Sequence, residues 1–253
     1  AAAWFSEEEA VALGRDLAGL VEARLAARER YRYGIAPVLK LLSRWTTARR
    51  HDAAAAVRLA IKASTALAGS GCAAEEEAGL SLLGRSGCAQ LEGGVEGNTA
   101  LLASLFRACA SENASVQSVA LEILAFLCGK DADVGIAGAE DVAGRFAVEE
   151  LWLLMADTAE QEEGSMATPW HWWVIPLLVN HEAPSTSLLD ACGFVSSCTG
   201  SAALVAGKAL LCRELLDALR SLSADHPMEE VRAFADATGR RAFRACFPDG
   251  PPR

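Results

Sequence analysis

SENASVQSVALEILAFLCGK (residues 111–130) places Val116, Val119, Ala120, Ile123, Leu124 and Leu127 at i, i+3, i+4, i+7, i+8 and i+11. That spacing lays one continuous apolar stripe along a helix. Ser111, Asn113 and Ser115 offer hydroxyl or amide oxygens to cap its start, and Gly129 marks its stop. The shorter apolar stretch TALLASLFRACA (residues 99–110) precedes it, so the two together predict a helical hairpin.

The pattern recurs. LLDALRSLSADHPMEEVRAFADATGRRAF (215–243) repeats the order of residues 101–127 with one extra residue before the second helix. Val231, Phe234, Ala235 and Ala242 then take the places of Val116, Val119, Ala120 and Leu127. A third copy, with a longer linker, runs from Ala36 to Ala68, where Val57, Ala60 and Ile61 open the second helix. At the start of the chain, Ser6 to Glu9 forms a capping box ahead of Leu13, Leu17, Leu20 and Val21, predicting a long first helix that ends at Gly34. Alternating Val, Thr and aromatic runs are missing, and no Asn-Gly turn joins two apolar segments, so the chain reads as helices throughout. Its apolar content, 52% hydrophobic with only 6% aromatic, is mostly Ala, Leu and Val, which suits close-packed helices.

GIAPVLKLL (34–42) resembles the opening of the second helix of an armadillo repeat, and SENASVQSVALEILAFL resembles the third, including the Val116-Gln117 pair. The resemblance covers roughly residues 34–128 and again 215–245. It implies a right-handed α-solenoid of armadillo or HEAT type, whose units bury their apolar faces on one another. On this reading residues 1–33 form a helix packed on or capping the solenoid, residues 34–246 the repeats, and residues 247–253 a Pro-rich tail. The resemblance carries no catalytic residues; it implies protein–protein contact over an extended surface. Groove-binding armadillo proteins use a ladder of Trp and Asn on third helices. The candidate third helices here hold no Trp, and the chain has only Asn98, Asn113 and Asn180.

Charge narrows the function classes. With a net charge of −10 and four arginines of ARLAARERYRY interrupted by Glu22 and Glu29, the chain lacks the basic surface of a nucleic-acid binder. No apolar run is long enough to span a bilayer. Eight cysteines scattered through apolar helical patterns read as small hydrophobes rather than a disulfide framework, which points to an intracellular, reducing compartment. The sequence does not begin with Met, so the expected location is the cytoplasm, or an organelle after removal of a presequence. Asn113-Ala114-Ser115 fits the glycosylation triplet but carries no weight without secretion.

TPWHWWVIPLLVN (168–180) holds three of the six tryptophans within four positions. WVIPLLV fits a new helix with Pro176 in its first turn, after a short helix or turn from Thr168-Pro169, with the side from Leu177 to Val179 in the core. Three large rings are hard to bury in a thin Ala-rich layer, so Trp170, His171, Trp172 and Trp173 are the expected partner-binding residues, the alternative being that the rings pack into the core on helix 6–33 or the next repeat. His171 and His181, like Cys192 and Cys198, lack the spacing of a zinc pair. GSAALVAGKAL (200–210) departs from a phosphate loop in spacing and in having Ala209 where a hydroxyl is needed, and reads as a helix. The acidic runs SEEEA, AEEEAG and EQEEG read as helix N-termini or solvated turns.

The sequence therefore designates no catalytic, cofactor-binding or metal-binding residue and no small-molecule substrate. The expected function is a non-catalytic interaction or structural subunit whose partners are other protein subunits. Two further readings stay open: an all-α enzyme with a site near Trp170–His181, and an adaptor holding a peptide in its groove. The fold expectation has a direct check: far-UV circular dichroism should give a helix content far above the ~30–35% of ordinary domains. A substantial sheet signal contradicts it.

Overall fold

The computed structural model describes residues 7–26, 36–41, 62–63, 65, 67, 72–86, 94–128, 146–164, 168–206 and 212–247. Every regular element among the described residues is helical, and none is a strand. The chain divides into two compact units, Ala1–Glu92 and Gly93–Arg253.

In the first unit, helix α1 runs Glu7–Ala26 and α2 runs Ala73–Ser86, with further helical residues at 36–41. Val21 is buried but Leu20 is exposed, so the expected apolar face of α1 is narrower than its sequence suggests. The side chains of Leu13 and Leu17 lie outside the described residues, as do Ser6 and Gly34. Leu39, Leu80, Leu82 and Leu83 are buried. Lys40 lies 3.5 Å from Glu77 in an exposed pair. The linker and most of the second helix of the 36–68 copy also lie outside the described residues.

The second unit begins with a single turn, α3 (Gly94–Gly97), followed by α4 (Thr99–Cys109), α5 (Ala114–Leu127) and α6 (Val148–Glu163). A 3-10 turn (Pro169–His171) leads to α7 (Val174–Val179) and α8 (Ser185–Thr199). The short α9 (Ala202–Ala206), then α10 (Arg213–Asp225) and α11 (Glu229–Cys246), complete it.

Helices α4 and α5 form the first expected hairpin. Asn113 caps α5, its Oδ1 accepting from the backbone N–H of Ser115 at 3.1 Å and of Val116 at 3.2 Å. Two of the donors that a helix start leaves orphaned are thereby satisfied. Val116, Ala120, Ile123, Leu124 and Leu127 are buried and Val119 is half-buried. Leu121 and Ala125 are buried too, because α5 is covered on more than one side. The helix ends at Leu127 with Cys128 as its C-cap, and Gly129 lies outside the described residues.

Helices α10 and α11 form the second hairpin, and one face of it follows the first, whereas Arg220, Asp236 and Arg240 are exposed where Phe106, Leu121 and Ala125 are buried. Leu101, Ser104, Leu105 and Ala108 are buried in α4, and their counterparts Leu215, Ala218, Leu219 and Leu222 are buried in α10. Val231, Ala235, Thr238 and Ala242 match Val116, Ala120, Ile123 and Leu127, while Phe234, like Val119, is half-buried. The turns are closed by equivalent positions. Gln117 Nε2 donates to the Cys109 carbonyl at 3.0 Å. Arg232 Nη1 donates to the carbonyls of His226 at 2.7 Å and Pro227 at 2.9 Å. In both cases the second helix of the hairpin reaches back to satisfy carbonyls that the first helix or its turn leaves unpaired.

Helix α8 lies against both α5 and α11 and also touches α6 and α7. Its buried residues include Leu188, Ala191, Cys192, Gly193, Phe194, Val195 and Cys198, spread around most of the helix. Helix α6 packs on α4, where Arg107 and Glu162 meet at 2.7 Å. The run EQEEG thus closes α6 as a solvated end, the second of its two expected places, and Gly164 (φ 75) ends the helix in a conformation that favours glycine.

The cap of α5 gives a quantitative check. Asn113→Ala should lower stability by about 1 kcal/mol in urea unfolding, and Asn113→Ser should recover most of it. Equal losses in the two variants would show that the cap hydrogen bonds contribute nothing.

Candidate functional site

The tryptophan stretch folds much as WVIPLLV suggests. Thr168 precedes the 3-10 turn, and Pro176 sits in the first turn of α7, where a missing N–H leaves no intrahelical bond unmade. Leu177 and Leu178 are buried, but Val179 is 55% exposed, so the core side of α7 stops short of the expected residue.

The rings correct a second expectation. Trp170 and Trp173 are fully buried, and both lie against Phe194 of α8, with ring centroids 6.1 Å and 5.6 Å apart. Only His171 and Trp172, half-buried, keep surface. Phe194 is itself fully buried, so the two indoles and the phenyl ring form one aromatic cluster in the core. The Trp173 Nε1–H is buried and finds no acceptor among the described residues.

The same 3-10 turn brings together groups that are far apart in the chain. His171 ends the turn, Cys212 is the N-cap residue of α10, and Glu214 lies in the first turn of that helix. One ligand atom from each lies within 4.8 Å of the others. Cys212 is buried, His171 half-buried and Glu214 exposed, so the cluster opens to solvent on the carboxylate side.

Hydrogen bonds orient it. The Cys212 thiol donates to Glu214 Oε2 at 3.3 Å. The Thr168 hydroxyl lies 3.9 Å from Cys212 Sγ as donor and 3.0 Å from His171 Nδ1. A threonine hydroxyl has one proton. That proton can serve either the sulfur or the imidazole, and the His171 tautomer decides which.

Electrostatics place the proton on sulfur. Burial above all, then Glu214, holds the Cys212 thiol above its ordinary range, against hydrogen bonds from the Leu215 backbone and Thr168 that pull it down. The Glu214 carboxyl is held below its usual range, first by its own backbone N–H, then by the Cys212 thiol, with smaller help from His171 and Arg213. A nucleophilic cysteine needs the opposite, a thiol that ionises readily.

None of these three residues was linked to the others by spacing, since His171 sits in one turn and the Cys-x-Glu pair at the start of a later helix. The other two described histidines, His181 and His226, lie together at the turn between α10 and α11. His226 is buried at the C-cap of α10, and its Nδ1 accepts the Met228 N–H at 3.1 Å. His181 stacks edge-on against it at 6.4 Å.

A second feature is the groove between α10 and α11, a cavity of about 590 Å³. Leu216, Leu219, Ala235 and Phe243 line it, with Phe247 beside Phe243 at a ring separation of 5.0 Å. Arg213, Arg220, Arg240 and Arg244 stand around it with Asp217 and Asp236. Arg213 pairs with Asp217 at 3.4 Å and Arg240 with Asp236 at 2.9 Å. Among the described residues no carboxylate pairs with Arg220 or Arg244.

Six described cysteines, Cys72, Cys109, Cys128, Cys192, Cys198 and Cys212, are free thiols. Desolvation pushes the Cys128 thiol up to about 12 and raises Cys109 and Cys198 well above their ordinary value. Cys109 and Cys198 are core residues, as their apolar sequence settings suggest, and Cys128 is half-buried at the C-cap of α5.

Comparison of the chain with known protein families, with curated proteins and with solved structures finds no match.

The unpartnered indole N–H of Trp173 separates packing from hydrogen bonding. Trp173→Ala should cost ~3–5 kcal/mol in urea unfolding, as large-to-small core changes do. Trp173→Phe keeps an aromatic ring and removes a buried donor that costs ~1–3 kcal/mol when unsatisfied, so its net loss should stay near 1 kcal/mol. A Phe variant as unstable as the Ala variant contradicts this reading.

Proposed function

We propose that the protein is a non-catalytic interaction or structural subunit, built from armadillo- or HEAT-like helical hairpins, and that it docks an acidic amphipathic segment of a partner protein in the groove between α10 and α11. One observation carries the reading: an apolar floor of Leu216, Leu219 and Phe243 is ringed by four arginines against two aspartates. This is a locally positive groove in a chain of net charge −10. A helix with Leu or Phe at i, i+3, i+4 and i+7 and glutamates on its flanks matches both the floor and the rim. Phe243 is 39% exposed, which suits an aromatic anchor that a partner covers.

The repeat reading has separate support in the one buried face that the two hairpins share, from Leu101 and Leu215 to Leu127 and Ala242, and in the shared role of Gln117 and Arg232. The partner surface moves away from the tryptophan cluster, because Trp170 and Trp173 are interior and only the His171–Trp172 edge remains accessible.

Fluorescence anisotropy with a labelled peptide of that pattern tests the docking. The acidic peptide should bind, and its affinity should fall steeply with salt. Replacing both Arg220 and Arg244 by Glu should weaken it by ~10-fold or more, each exposed pair contributing up to ~1 kcal/mol and reversal adding repulsion. Equal binding of a lysine-flanked peptide, or indifference to the double charge reversal, would overturn the proposal.

A further inference from the structure

We propose that His171, Cys212 and Glu214 form a binding site for a divalent transition-metal ion of the zinc class. The ligands are the Cys212 thiolate, the His171 Nε2 and one Glu214 carboxylate oxygen, and the remaining position faces solvent. The inference is independent of the docking groove.

Geometry carries it. In a tetrahedral zinc site with bonds of ~2.0–2.3 Å, neighbouring ligand atoms stand about 3.3–3.8 Å apart. Cys212 Sγ and Glu214 Oε2 are already 3.3 Å apart, and the whole set lies within 4.8 Å. Glu214 is exposed and His171 half-buried, so small side-chain rotations close the rest. The buried Cys212 is the fixed point, set at the N-cap of α10.

The supporting contacts fit the same ion. Thr168 Oγ1 lies 3.0 Å from His171 Nδ1 and holds the ring through that nitrogen, which leaves Nε2 to the ion. The same hydroxyl lies 3.9 Å from Cys212 Sγ. Hydrogen bonds of this kind orient and tune the ligands of known metal sites.

The balance is simple. The ion replaces the thiol proton, a metal–sulfur bond forms as the S–H bond breaks, and the proton leaves to water. Thiolate and carboxylate then neutralise the two positive charges, with imidazole neutral. A sulfur, nitrogen and oxygen set of this kind selects zinc or cobalt over calcium or magnesium, which prefer oxygen alone.

The test uses the full chain, stripped with a chelator and titrated with Zn²⁺ by calorimetry and with Co²⁺ by absorption. One ion per chain should bind, and cobalt should give a thiolate charge-transfer band. Cys212→Ser should abolish that band, while Cys198→Ser, which removes a buried thiol elsewhere, should keep it. His171→Ala and Glu214→Gln alter partly or fully exposed side chains, and each should weaken zinc at least ~10-fold; Thr168→Val should do so by ~10–100-fold. Circular dichroism of each variant reports folding. A wild-type chain that binds no ion overturns the proposal, as does a charge-transfer band that survives in Cys212→Ser.

Discussion

Helix α8 must hand one flank to each of two hairpins, and that constraint organises the second unit. A helix covered on one side needs only an apolar stripe; one covered by α5 and α11 together must be apolar around most of its circumference. Leu188, Ala191, Cys192, Phe194, Val195 and Cys198 meet that need, and the one charged residue of the helix, Asp190, is half-buried. The small residues at 191–193 let neighbours approach closely. Each fully buried Leu, Val or Phe contributes about 1.5–3 kcal/mol of transfer free energy. The central helix therefore holds a large share of what binds the unit together.

The tryptophan turn and the polar cluster both follow from this placement. Trp170 and Trp173 pack on Phe194 and anchor the 3-10 turn. Between them in sequence, His171 is left at the surface, beside the N-terminus of α10. Helix α7 packs on both α8 and α10, so the turn and the start of α10 are held to one frame. A rigid support of this sort is what a site with three ligands from two elements requires.

The helical hairpins were legible in the sequence because their signals are local. The 3.6-residue stripe from Val116 to Leu127 and its copy from Val231 to Ala242 report burial directly, and the cap at Asn113 names the start of α5. What the sequence hid depends on contacts between distant segments. The fate of Trp170 and Trp173 hinged on Phe194, which nothing in PWHWW reveals. The cluster of His171, Cys212 and Glu214 has no spacing signature, since the turn and the helix start that build it meet only in the folded chain. EQEEG left two places open, a helix start or a solvated turn, and Arg107 on a different helix pairs with Glu162 in the last turn of α6.

The central claim is that α5, α8 and α11 stand or fall together, with α8 as their common support. Native-state hydrogen exchange tests it most directly, because it gives an opening free energy for each helix separately. The account predicts that the slowest amides of these three helices share one value, equal to that of global unfolding of the second unit. A hairpin of α10 and α11 that opens at a clearly lower free energy, while α5 and α8 stay protected, would contradict it.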